Sequence, residues 1–363
     1  MLGLNQLVTV CLIYVALLFL IAFWAERRAQ RGLLGWLRSP LVYTLSISVY
    51  CTAWTFYGAV GSAARNGLEF VAIYLGPTLV FIGWWWLLRK LLRIGQAQRI
   101  TSIADLISSR YGKSATLGVA VTLLAVISST PYIALQLQSI TVSFSVFADM
   151  DPTSEATDPD VTALWVAAGL ALFTILFGTR NVDANERHHG VVTAIALEAI
   201  VKLVALLAVG IFVVWGIGSG PSGIFERMPK DMIQVEQIFG PRWATLMFLS
   251  ASAVICLPRM FQVIIVENSD ERHLATASWA FPMYLFLMSL FVLPIAIAGQ
   301  SLLQDANPDL YVLTVPLSQG QNNLALLAFL GGFSSATSMV IVAAIALSTM
   351  VSNHIVMPLW LRY

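Results

Sequence analysis

Charge is what this sequence has least of. Only 11% of its 363 residues are Asp, Glu, Lys or Arg, where a soluble domain carries about 25%. A water-soluble globule of this size is thereby excluded. The formal net charge is +1, so there is no basic field for nucleic acid to bind. Cysteine is almost missing as well. Cys11, Cys51 and Cys256 lie in apolar runs without paired spacing, and read as small buried side chains rather than a disulfide framework or a metal site. No HExxH, P-loop or GxSxG segment occurs, which leaves no catalytic chemistry to assign within this chain. No basic residue precedes the first apolar run and no A-x-A site follows it. That run reads as part of the mature protein, not as a cleaved leader.

What is present is apolar: 58% of the residues are hydrophobic, with a mean hydropathy of +0.80. Nine long runs stand out, at 6–24, 41–61, 70–88, 115–147, 161–177, 191–215, 243–266, 277–299 and 324–347. Each approaches the roughly 20 residues that a crossing helix needs, so the fold class is an all-α membrane protein. Run 115–147 is too long for one perpendicular crossing and must tilt, kink near Pro131 or extend into water. Several runs are interrupted by Gly, Pro or Ser pairs. Inside hydrocarbon a broken helix is tolerated only where it is buried in protein or lines a watery cavity, which points to a protein that handles a solute or an ion.

Loop charges set the direction of the crossings. Arg27, Arg28, Arg31, Arg38, Arg89, Lys90, Arg93, Arg99, Arg110, Lys113, Arg180, Arg187, Arg272 and Arg362 all fall on one side, 14 of the 20 basic residues. The other side holds Arg65, Arg227, Lys230 and Arg242. The N-terminus is therefore expected outside and the C-terminus in the cytoplasm. The acidic stretch DMDPTSEATDPD at 149–160 reads as a solvated outer loop.

Run two goes inward to outward and is broken; run seven goes the other way and carries the interruption CLPRM. Each would begin a five-helix repeat of opposite direction, the architecture of many transporters. A peripheral first helix (6–24) would precede a first repeat at 41–215. The second, at 243–347, would stop after three helices, so the chain reads as part of a longer product, truncated after nine transmembrane helices.

Run two mixes Ser46, Ser48, Thr52 and Thr55 with Tyr50, Trp54 and Tyr57 before Gly58 and Gly61. Hydroxyls and freed carbonyls suit a hard monovalent cation, and stacked aromatics suit an organic solute. Close helix packing, with hydroxyls bonded to their own backbone, reads the same residues equally well. Run nine places Ser334, Ser335, Thr337, Ser338 and Ser348 after Gly331-Gly332. Kinked there, it is expected to face run two at mid-depth, with Ser334 and Ser335 as cation ligands. Between runs three and four, Ser102 and Asp105 predict the N-cap of a short helix, whose far end Arg110 and Lys113 complement. In run four, Gln136 reaches either a solute or a neighbouring helix. Glu198 and Lys202 in run six, four residues apart, are either a self-neutralising pair or a coupling device. Pro258 breaks run seven and joins the solute-facing candidates, and Arg259 after it needs a carboxylate, a carbonyl or water. Glu267, Asp270, Glu271, Arg272 and His273 form a solvated turn. His188 and His189, being adjacent, diverge and make a poor metal pair.

Four segments, TSIADLISSRYG, PYIALQLQSI, LPRMFQVIIVENSDERH and the Ser334-Ser335 pair, resemble the sodium:solute symporter family. YCTAWTFYG, EAIVKL and LPRMFQVIIVEN are similar, more closely, to the N-terminal membrane module of CbrA-type bacterial sensor histidine kinases. The resemblance implies the LeuT-like five-plus-five inverted-repeat fold in a bacterial inner membrane. It implies Na+ (or H+) as coupling ion and a small solute, an amino acid such as histidine. A response regulator would be a partner through kinase domains outside this chain. It places a cation between the hydroxyls of Ser334 and Ser335 and two carbonyls of run two, matched to Val49 and Thr52, or one residue earlier to Ser48 and Cys51. The acidic residue of the family's proline transporters has no counterpart near Tyr50, and their helix-seven aromatics are replaced by Val254 and Ser250.

Overall fold

The computed structural model describes residues 4–33, 35–148, 159–178, 189–229, 232, 239–303 and 305–361. Most of the acidic stretch at 149–160, together with Arg180, Arg187, His188, Lys230 and Arg362, lies outside them. Every extended element among the described residues is helical. In chain order they are α1 Leu4–Gln30, α2 Pro40–Ser46, α3 Ala59–Asn66, α4 Val71–Ile82, α5 Leu88–Gln98, α6 Ile103–Arg110, α7 Ala115–Ala148, α8 Pro159–Gly178 and α9 His189–Ile211. Then follow α10 Pro221–Phe225, α11 Pro241–Cys256, α12 Pro258–Phe261, α13 Arg272–Ser289, α14 Val292–Leu302, α15 Tyr311–Ser318, α16 Asn322–Val351 and α17 Met357–Trp360. Among the described residues, five helical stretches are long and apolar enough to cross a bilayer unaided, and a sixth does so as the bent pair Pro241–Cys256 and Pro258–Val266. This is a multi-pass membrane protein.

Apolar patterning explains the layering. On α1 the buried residues Leu7, Cys11, Tyr14, Leu18 and Ala22 recur every three or four positions, whereas Leu12, Ile13 and Leu20 are about two-thirds exposed. One face meets the bundle and the other suits lipid. By contrast α16 is buried on all sides from Gly331 to Ala343, which puts it at the centre, packed against α9, α7 and α8. α4 lies against α11 and α13. α7 runs through Pro131 without a break. At 1.5 Å per residue its 34 residues reach about 51 Å, well past a hydrocarbon core.

Interruptions fall where expected in runs two and seven, and α6 begins as predicted. Ser102 Oγ accepts from the Asp105 amide at 3.2 Å, and the Asp105 carboxylate accepts from the Thr101 amide at 3.0 Å. Elsewhere the structure departs from the runs. Run 70–88 ends at Ile82, run 277–299 is divided between α13 and α14, and α15 is an additional short helix. Run nine is the main correction: α16 is a continuous helix of 30 residues with no kink at Gly331-Gly332.

Candidate functional site

Run two unwinds in mid-span. Ser39 caps α2, accepting from the Val42 amide at 3.3 Å, with Pro40 opening the first turn. After Ser46 the chain tightens into a 3-10 turn, Ile47–Tyr50, and leaves helical geometry at Cys51 (φ −78°, ψ 96°). It resumes through a wide turn, Trp54–Gly58, into α3. Backbone groups freed there must find partners, and several find them in side chains. Gln136 Oε1 accepts from the Ala53 amide at 2.9 Å. The Thr52 carbonyl accepts from the Thr55 hydroxyl at 2.7 Å, and the Thr55 carbonyl from the Tyr74 hydroxyl at 2.9 Å. Lys202 Nζ, fully buried on α9, donates to the carbonyls of Ser48 (2.7 Å) and Cys51 (3.0 Å).

Glu198 and Lys202 are not in direct contact. The Glu198 carboxylate accepts from the Thr337 hydroxyl of α16 at 2.6 Å, and among the described residues no ion pair joins the two side chains. The i,i+4 spacing that suggests a mutual pair leaves room for each rotamer to reach a different helix.

On α16, Ser334 and Ser335 are both fully buried. Ser334 Oγ donates to the Leu330 carbonyl at 2.8 Å and pairs with the Tyr14 hydroxyl of α1 at 2.6 Å. Ser335 Oγ donates to the Gly331 carbonyl at 2.9 Å. The glycine pair admits neighbours rather than bending the helix: a Cβ on Gly332 would lie 1.9 Å from Tyr57 Oη, and one on Gly331 2.7 Å from Phe56 Cζ. Tyr57 therefore packs against α16.

In the Ser48 and Cys51 register, a Na+ ion would have to share its carbonyls with an ammonium. The Ser48 and Cys51 carbonyls already receive the buried Lys202 ammonium, a positive charge where the ion would bind, whereas the Ser334 and Ser335 oxygens keep lone pairs while their protons go to Leu330 and Gly331. Val49 lies fully buried within the 3-10 turn.

Run seven breaks differently. Leu257 is extended (φ −70°, ψ 130°) ahead of Pro258, as the proline ring requires of its predecessor, and the two halves meet at 54°. Beside this bend and the unwound part of run two is a cavity of about 440 Å³, within the usual range for small-molecule sites. Tyr50, Thr52, Trp54, Thr55, Tyr132, Ser250 and Arg259 line it. Arg259 is 5% exposed, its guanidinium carbon 4.8 Å from the Tyr132 ring centroid, and its Nε has no hydrogen-bond partner. Among the described residues no carboxylate pairs with it. The structure thus gathers three of the sequence candidates, Tyr50, Thr52 and Trp54, around one cavity. Gln136, Tyr57 and Pro258 stand outside its lining, as do Ser334 and Ser335. Tyr132 and Arg259 were missed as solute contacts. The one signal for them was an intramembrane arginine directly after a helix-breaking proline.

At the end carrying α5 and α6, Glu271 bridges two arginines: Arg93 Nε at 2.8 Å and Arg89 Nε. Hydrogen bonds from Arg93 and then Arg89 hold its carboxyl down at about 2. Glu267 accepts from Gln262 Nε2 at 3.0 Å, and His273 is buried rather than solvated. Among the described residues no group of three or more His, Cys, Asp or Glu is placed to hold a metal ion.

No sequence profile of a known family matches the chain. An uncharacterised symporter of Bacillus subtilis, YhjB, is 25% identical over 191 residues, which make up 52% of this chain and 35% of the relative. The chain thus spans about a third of that relative's length. Among solved structures, a Na+-coupled sialic acid symporter in a substrate-bound, outward-open state superimposes with a TM-score of 0.69 at 13% identity, over 96% of this chain and 74% of that one. The fold is therefore the all-α, inverted-repeat transporter fold, with the broken runs two and seven in it.

Proposed function

We propose that this chain binds a small solute bearing a carboxylate, an amino acid such as histidine, in the cavity between the broken runs, and carries it across the membrane with a coupling cation. The observation that carries the reading is Arg259: a buried guanidinium on a cavity wall, without a carboxylate of its own. A charge so placed is costly unless paired, and a carboxylate entering the cavity supplies the bidentate partner that arginine favours. Tyr50, Trp54 and Tyr132 would flank the organic part. Relatedness to a symporter and the superposition on another support transport. The inverted repeats would occupy 41–215 and 243–347, α1 would be peripheral, and the basic loops would face the cytoplasm of a bacterial cell, N-terminus outside.

The test is binding of labelled histidine against histamine, which lacks the carboxylate. A site built for that group should reject the analogue by roughly 100-fold or more; equal binding would end the reading. The resemblance to sensor-kinase membrane modules favours a second role, in which solute occupancy is reported to cytoplasmic kinase domains and a response regulator. Autophosphorylation of the full-length product that ignores added solute would count against it.

A further inference from the structure

We propose that the Lys202 ammonium is this protein's own cation at the break of run two, and that solute binding consequently needs no Na+. The inference deepens the transport reading and depends on it for its meaning, but its geometry stands alone. The carbonyl half of a would-be Na+ site is already taken by a cation, although the serine half is not, since a hydroxyl that donates its proton keeps its lone pairs. The Ser48 and Cys51 carbonyls receive Lys202 Nζ at 2.7 and 3.0 Å, and the hydroxyls of Ser334 and Ser335 donate to Leu330 and Gly331. Lys202 is 0% exposed and Glu198 is 1% exposed. Glu198 lies one turn away and is held by Thr337, so the positive charge has a buried counter-charge without being drawn off the carbonyls. A second cation sharing those carbonyls with the ammonium would be repelled at close range, and in low dielectric that repulsion is at its strongest. Tethered to α9, this cation cannot be released on either side. A Na+ gradient therefore has no carrier at this position, and any coupling ion must act elsewhere.

The experiment uses the full chain in lipid nanodiscs, with thermal unfolding followed while NaCl replaces choline chloride at constant ionic strength and no solute is present. The wild type should show no Na+-specific shift. Lys202→Ala, which vacates the carbonyls, should be destabilised and regain stability with NaCl but not with choline chloride. A saturable, Na+-specific rise of about 3 °C or more in the wild type overturns the proposal, as does a folded Lys202→Ala protein indifferent to Na+. If Lys202→Ala does not fold, the wild-type titration decides alone. Labelled histidine binding provides a separate arm: equal affinity in Na+ and choline supports the proposal, and a gain of roughly tenfold on adding Na+ overturns it. Should no carboxylate solute bind at all, the transport reading fails while the unfolding arm still judges Lys202.

Discussion

The two helix breaks differ in how they are satisfied. The break in run two contains no proline, yet its freed groups are met from within: Gln136 at Ala53, Lys202 at Ser48 and Cys51, Tyr74 at Thr55. The break in run seven is made by Pro258 and leaves Arg259 over Tyr132 with an unpartnered Nε beside a cavity. An interruption closed by the protein's own atoms is architecture, and one that leaves a buried charge open is a place for a guest. The contrast predicts opposite consequences for removing the two intramembrane cations.

The largest effect should come from Lys202→Met. It removes the charged donor from two buried carbonyls, of which Ser48 keeps only the Cys51 amide, and takes away the buried counter-charge of Glu198, so unfolding should become easier by roughly 3–5 kcal/mol. Thermal or denaturant unfolding in nanodiscs measures this, and a loss below about 1 kcal/mol would erase the distinction between the two breaks. Arg259→Met should do the reverse. Stability should hold or rise slightly, because an unpaired buried charge is removed, while histidine affinity falls by roughly 100-fold, the cost of deleting one member of a buried charge pair. A variant that unfolds while still binding solute would invert the assignment.

Between these lies the close approach of α16 to run two. Gly332→Ala would drive a methyl into Tyr57, whose Oη would lie 1.9 Å away, and should cost about 1–3 kcal/mol. Unchanged stability would show that the two elements pack more loosely than described. The same contact shows where the sequence was legible and where it was not. Helix existence, the break at Pro258 and the Ser102 cap follow from local chemistry: apolar length, a proline, a side chain that reaches its own backbone. The unwinding at Cys51 has no such local signal, and only the resemblance points near it. Gly331-Gly332 carries two meanings, bend or close approach, and only the position of Phe56 and Tyr57 on another helix decides between them. Lys202 is similar. Spacing along α9 points to Glu198, whereas its partners are carbonyls some 150 residues away in the chain, set by how α9 lies against run two. The solute-side arginine was visible as an anomaly in the sequence, but its lack of a partner is a property of the assembled bundle.

The smallest effect concerns the α5–α13 contact, where the contrast between satisfied and open charge reaches the surface. Glu271 is partly exposed and bridges Arg89 and Arg93. Those arginines, Arg93 foremost, depress its carboxyl in the folded protein from the ordinary 4.5 to about 2. A depressed carboxyl contributes stability that is fully present above its unfolded value and is lost as pH falls through the folded one. The clamp should therefore be intact at neutral pH and weaken progressively only as pH drops from about 4.5 to about 2. Glu271→Gln should leave neutral-pH histidine binding unchanged, and it should flatten the dependence of unfolding on pH within that acid window. Solvent and salt screen such a pair, so its effect should shrink at high ionic strength, whereas the loss caused by Lys202→Met, set in the low-dielectric centre, should not. A salt dependence shared equally by both variants would mean that Lys202 is reached by water, and the separation between a closed inner break and a solvated outer clamp would no longer hold.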